Sequence, residues 1–329
     1  MAPSLLHPPS QLSHAAALQL SQQAPAVLRS SPSTVSASPL SALFSASESP
    51  ELWTKYENLL LSCLRTGDER AAHQCLERLV ARFGNDNERV MAFKGLLKEA
   101  DAENNGQLEL VLKEYDQILS DNDTNIPITK RRIALLRSLG RVSDAASSLV
   151  RLLEFSPTDA EAWSELAEIY LTQGLYAQAI YALEEVLILA PNAWNIHARL
   201  GEMQYMAATA SGAGAGPYRK YLAEALKRFA RSIELCDDYL RGYYGLKLVT
   251  SEVLGDSAGS TKQNGADEFS LPDPATIERL NELATAKLSE IVRHAAARDP
   301  GWCGYDELEV AAARELLTKD ASALPGVVR

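Results

Sequence analysis

The sequence predicts an all-α protein built from antiparallel helical hairpins, and three observations carry that expectation. Two stretches align without a gap at a displacement of 34 residues: Gly140, Val142, Ala145, Leu149, Leu153 and Pro157 recur as Gly174, Tyr176, Ala179, Leu183, Leu187 and Pro191. Inside them the apolar residues keep helical spacing. Trp163, Leu166 and Tyr170 stand at i, i+3 and i+7, and Ala179, Leu183 and Val186 mark one face of a second helix. Glycine and proline punctuate the pattern at fixed offsets: Gly174 supplies the tight turn within a pair, and Pro191, with no backbone N–H, ends the second helix and opens the next pair. Ala167 and Ala179 stand where the paired helices approach, since larger side chains there would force them apart.

Taken in order, residues 1–47 read as a disordered Ser/Pro/Ala-rich tail, because that composition buries too little apolar surface to offset its chain entropy. The tail contains no acid and one strong base, Arg29, so it has neither the basic start of a secretory signal nor the arginine content of a mitochondrial transit peptide. Charges and helical periodicity begin together at Glu48. Trp53, Tyr56 and Leu60 with Ala72, Leu76 and Leu79 give a first unit, and Ala92 to Asn125 a second, where Gly106, Val111, Tyr115 and Ile118 precede Gly140, Ala145, Leu149 and Leu152 by 34 residues. The third and fourth are the pair that align without a gap. His197, Leu200 and Gly201 open a fifth, whose second helix (Ala225, Phe229, Ser232) arrives late because the Gly/Ala-rich stretch 207–217 is expected to lengthen the turn. A sixth pairs Leu240 to Leu254 with Ala275 to Arg298 across a polar loop at 255–274. Within residues 300–329, Tyr305 to Lys319 is expected to form a capping or docking helix with Leu308, Ala312 and Leu316 on its apolar face.

With 43 acidic against 32 basic residues, a net charge of -11 and a pI near 5.1, the chain lacks the basic face a nucleic-acid partner requires. No run of roughly 18 to 20 apolar residues stands ready to cross a membrane, so membrane contact is expected to be indirect, through a partner. Four scattered cysteines, Cys63, Cys75, Cys236 and Cys303, form neither a disulfide framework nor a paired metal motif, and point to a reducing compartment. No phosphate loop, zinc-protease motif or nucleophile elbow appears, so no catalytic, cofactor or metal residue is nominated.

Trp163, Leu166, Ala167, Tyr170, Gly174, Tyr176, Ala179, Leu183 and Pro191, in that order, resemble the tetratricopeptide (TPR) repeat, which implies a solenoid winding as a right-handed superhelix. The runs from Ile126 to Arg141 and Asp159 to Asn192, with ERVMAFKGLLKEA and LVLKEYDQILSDNDTN upstream, resemble more narrowly the TPR-containing second subunit of the endoplasmic reticulum membrane protein complex. The resemblance covers roughly residues 50 to 250. It implies a non-catalytic scaffold, peripheral on the cytosolic face of the endoplasmic reticulum membrane. Such a subunit binds cytosolic parts of the membrane subunits and supports insertion of tail-anchored and multipass proteins.

The competing expectation is a chaperone adaptor whose groove clamps a C-terminal peptide carboxylate with several charge-assisted donors. Lys130 fits that clamp, but Ala134 stands where Asn is needed and Glu161 and Glu165 would repel the ligand. Charge along the repeats is uneven. Residues 126–151 carry six bases and one acid, whereas residues 157–190 carry six acids and no base. One reading is solvated faces with some pairing between units. The sharper one is that first-helix positions Lys130, Arg131, Arg137, Glu161, Glu165, Glu168, Arg199 and Glu202 face the groove and meet complementary charge on a partner. His197 stands in the slot of Trp163 one unit on, and is expected to pack. Trp53, Trp163 and Trp194 are expected in the core or at unit boundaries, and Trp302 to seat the last helix.

Overall fold

The computed structural model describes residues 3–8, 12–30, 49–212, 216–257, 271–297 and 305–323. Among them the regular structure is entirely helical, and the expected hairpins form in sequence order. The chain divides into two compact units, Met1–Phe155 and Ser156–Arg329.

The first unit begins with a correction. The segment expected to be disordered contains α1 (His14–Ser21) and α2 (Ala24–Ser30), which pack on α3 (Pro50–Thr66) and α4 (Glu69–Phe83) respectively. Leu5, Leu20 and Ala24 are buried with Tyr56, Leu59 and Leu60, and Asn58 donates to the carbonyl of Leu5 at 2.8 Å. A few well-spaced apolar residues thus find a ready-made surface on the first hairpin, which composition alone does not register. Residues 31–48 lie outside the described residues. Cys63 and Cys75 face each other's helices in this core, and burial pushes both thiols up to about 12. Trp53 packs tilted against Tyr56 and edge-on against Phe83, with ring centroids at 5.8 and 5.2 Å.

Two further hairpins complete this unit: α5 (Glu88–Ala100) with α6 (Asn105–Asp121), and α7 (Ile126–Ser138) with α8 (Val142–Phe155). Asn87, Asn104 and Asn125 cap α5, α6 and α7 by accepting from backbone N–H groups of the first turn. Gly140 takes φ 74°, the left-handed turn its 34-residue repeat requires, as Gly174 does at φ 72°.

The second unit opens with α9 (Ala160–Thr172) and α10 (Tyr176–Leu189), then α11 (Trp194–Ser211) and α12 (Gly216–Leu235). Here the expected long turn at 207–217 is corrected: α11 runs through Ser211 and α12 starts at Gly216, so most of the insertion lengthens the helices. Ala207 and Ala208 are fully buried and are good helix formers, which explains the extension. The sixth pair is α13 (Leu240–Ser257) and α14 (Pro274–Ala297), and residues 258–270 of the expected loop lie outside the described residues. The last helix, α15 (Glu307–Ala323), packs on α13 and α14. Its expected apolar face is off by a fraction of a turn: Val310, Ala313, Leu316 and Leu317 face the core, while Leu308 is 81% exposed and Ala312 is exposed. Trp194 is also more exposed than expected, at 44%, with its backbone carbonyl accepting from Ser232. Trp302 lies outside the described residues.

Candidate functional site

The charged residues expected in a groove sit on the first helices of successive hairpins, and the structure gives several of them partners within the chain. In the first unit, Arg131 of α7 reaches the first helix of the preceding hairpin. Its Nε donates to Glu99 Oε1 at 3.1 Å and its Nη2 to Glu99 Oε2, while the buried Tyr115 hydroxyl donates to the same carboxylate. Burial and that carboxylate hold the Tyr115 phenol well above its ordinary range. Gly95 leaves room for it, since a Cβ there would lie 2.2 Å from the Tyr115 oxygen. Arg132 bridges two second helices, donating to Asp116 at 2.6 Å and Ser148 at 2.8 Å. Arg141 donates to Asp144 at 2.8 Å. Lys130, half-buried, and Arg137, exposed, also interact within the chain.

The second unit repeats the arrangement with the signs placed the same way. Arg199 of α11 donates from Nε and Nη2 to the two oxygens of Glu168 on α9, at 2.7 and 2.6 Å, and from Nη1 to Glu202 at 2.5 Å. These bonds hold its guanidinium charged far above the ordinary arginine range. Arg131 to Glu99 spans 32 positions and Arg199 to Glu168 spans 31, so each pair joins a first helix to the one before it. Glu161 is exposed and Glu165 half-buried, and both interact within the chain. The uneven charge along the sequence is therefore used, at least in part, to fasten neighbouring hairpins in register.

His197 and Trp163 fill one slot at a spacing of 34 residues. Trp163 Nε1 donates to the carbonyl of Pro157 at 2.9 Å, and His197 Nε2 lies 3.0 Å from the carbonyl of Pro191. Facing that acceptor, Nε2 carries the proton, and burial pushes the imidazole pKa below its ordinary value.

Besides one of about 630 Å³ beside α2 and α4, two cavities among the described residues escaped the sequence reading. One, of about 740 Å³, lies beside α6, α7 and α8, with Ile126, Phe155, Arg132 and Arg151 in its wall. The other, of about 410 Å³, lies between α11, α13 and α15, and Tyr205, Tyr239 and Tyr244 line it. The cluster Tyr239, Tyr243, Tyr244 in an aromatic-poor chain was the available signal for the second. Among the described residues no group of three or more His, Cys, Asp or Glu side chains stands ready for a metal ion, and no helix is long and apolar enough to cross a membrane.

Residues 84–213 match the family model described as the EMC2 TPR-like repeat domain. The TPR repeat protein oca3 of Schizosaccharomyces pombe is 29% identical over 242 residues, covering 72% of this chain and 82% of that protein. ER membrane protein complex subunit 2-A of Xenopus laevis is 31% identical over 212 residues, covering 64% of this chain and 67% of that one. Among solved structures, the C-terminal part of a TPR repeat-containing protein from Cytophaga hutchinsonii superposes with a TM-score of 0.48 at 14% identity, over 91% of this chain and 98% of that one.

Proposed function

This chain belongs to the ER membrane protein complex subunit 2 family, and from that membership we propose that it is the complex's non-catalytic TPR scaffold. It works from the cytosolic face of the endoplasmic reticulum membrane as a peripheral subunit. It holds cytosolic parts of the membrane-embedded subunits, and so supports insertion of tail-anchored and multipass membrane proteins. The single observation that carries the reading is the 31% identity over 212 residues to a named subunit of that complex. A stack of hairpins suits the task, because each unit offers its first-helix side chains to an extended partner while its second helix supplies the core.

The partner contacts fall on the first-helix charges. Lys130, Arg131 and Arg137 present them in the first unit, and Glu161, Glu165, Glu168, Arg199 and Glu202 in the second. Arg131 and Arg199 are oriented by their own carboxylates, so a partner meets a fixed charge pattern rather than loose side chains. Affinity purification of the tagged chain from detergent tests the reading: membrane-embedded subunits are expected to copurify, and recovery of a lone monomer overturns it. Reversing Glu165 to Lys, which leaves the Glu168–Arg199 pair intact, is expected to lower that recovery while the helical melt of the free chain stays within a few degrees. Unchanged recovery would confine these charges to solvation and register.

A further inference from the structure

The cavity of about 410 Å³ between α11, α13 and α15 has an aromatic wall, made by Tyr205, Phe229, Tyr239 and Tyr244. Only 7% of the chain is aromatic, so four rings on one cavity are a marked concentration. Phe229 comes this close to two helices because both are bare there: a Cβ on Gly245 would lie 2.0 Å from its ring, and one on Gly201 3.1 Å. The three tyrosines are half-buried and leave part of each ring open. Burial raises the phenol pKa of Tyr205 and Tyr239, so these rings stay neutral hydroxyls at physiological pH.

The rim is charged, and its hydrogen-bonding capacity is lopsided. Arg199 spends its donors on Glu168 and Glu202, and Arg241 donates to Glu309 Oε1 from Nε at 2.8 Å and from Nη2 at 2.6 Å. The carboxylates and phenols keep lone pairs to spare. The lining itself is balanced, with Glu202 and Glu309 against Arg199 and Arg241, and Glu168, which holds Arg199 from outside the lining, makes the ion network around the cavity net negative. Lys319 of α15 couples to Tyr244, but Glu315 at 2.7 Å balances its charge. A concave aromatic wall with spare carboxylate and phenol acceptors, set in a net negative ion network, is the chemistry that recognises a cation.

We propose that this cavity binds an arginine side chain of a partner polypeptide, its guanidinium stacked on Tyr239 and Tyr244 and donating to Glu202 and Glu309. Arginine suits the site better than lysine because its planar, weakly hydrated head both stacks on rings and forks onto carboxylates. The proposal rests on the scaffold reading only for the identity of the chain that owns the arginine.

The test titrates the full chain, carrying isotopically labelled tyrosine, with Nα-acetyl-arginine amide, its neutral isostere Nα-acetyl-citrulline amide, and Nα-acetyl-norleucine amide, following the ring resonances by NMR. Saturable shifts at Tyr239 and Tyr244 are expected with the arginine derivative, with binding about tenfold weaker for citrulline. The arginine response is expected to weaken in Glu202→Gln, whose side chain is exposed and pairs with Arg199 of its own helix, and to vanish in Tyr244→Leu. Equal responses to all three derivatives, or no saturable response to arginine, overturn the proposal. Copurification of membrane subunits is read on a different sample, so either result can fail while the other stands.

Discussion

The fourth and fifth hairpins use the same positions with different residues. Trp163, Ala167, Tyr170 and Leu183 in α9 and α10 correspond to His197, Gly201, Gln204 and Phe229 in α11 and α12. In the fourth hairpin, the aromatic rings are partly buried and Ala167 and Leu183 are buried in the same core. In the fifth, the volume moves inward: a phenylalanine occupies the crossing and a glycine makes way for it. Polar side chains take over the aromatic positions, and they leave two buried atoms, His197 Nδ1 and Gln204 Oε1, without a hydrogen-bond partner among the described residues. The fifth hairpin also has the longer helices, 18 and 20 residues against 13 and 14. A repeat position therefore specifies a volume shared with its neighbours and, at the proline contact, a ring N–H donor, rather than a residue type.

Four experiments would break or sharpen that comparison. Phe229→Ala should cost the Ser156–Arg329 unit about 3 to 5 kcal/mol in denaturant unfolding, because the ring is 3% exposed and fills the crossing. A loss under about 1 kcal/mol would mean the ring is not the keystone. Gly201→Ala and Phe229→Leu should each destabilise by about 1 to 2 kcal/mol, but the double variant should cost less than their sum, since it restores the fourth hairpin's combination. Additive losses in the cycle would deny the volume exchange. Gln204→Leu should be neutral or stabilise by up to about 1 kcal/mol, because it removes an unpaired buried acceptor; a clear loss would reveal a partner for the amide.

The smallest effect belongs to His197. Burial, and to a lesser degree Arg228 and Arg231, lowers its folded-state pKa, so the unfolded chain binds the proton more readily. Its contribution is complete above the unfolded value of about 6.5 and is lost as pH falls through the lower folded value. Stability measured at pH 5 should thus fall less in His197→Phe than in the parent chain, and parallel pH profiles would remove the histidine from the account.

Much of this architecture was legible in advance because glycine, proline and helical periodicity are local signals. Gly140 and Gly174 turn the chain where the 34-residue spacing puts them, and Tyr56, Leu149 and Leu183 are buried as their faces demand. What escaped depends on long-range contact. Leu5 and Leu20 look unremarkable in a Ser/Pro-rich stretch, and become core only because α3 offers them a surface. Val310 rather than Leu308 faces inward on α15 because Arg241 pairs with Glu309 and Tyr305 donates to the Asp238 carbonyl, which fix the helix's rotation. The uneven charge is visible in the sequence, but partners on the neighbouring hairpin, such as Glu99 for Arg131, lie 32 positions away and cannot be inferred from either residue alone.

Cys63 and Cys75 give the first hairpin a chemical clock. With burial pushing both pKa values up to about 12, neither thiol is appreciably ionised at pH 7. An alkylating reagent therefore reports how often this hairpin opens, residue by residue under mass mapping. The half-buried Cys236 serves as an internal reference in the other unit. Trimming residues 1–30 would show, as a faster alkylation rate, how firmly the N-terminal helices keep that hairpin closed.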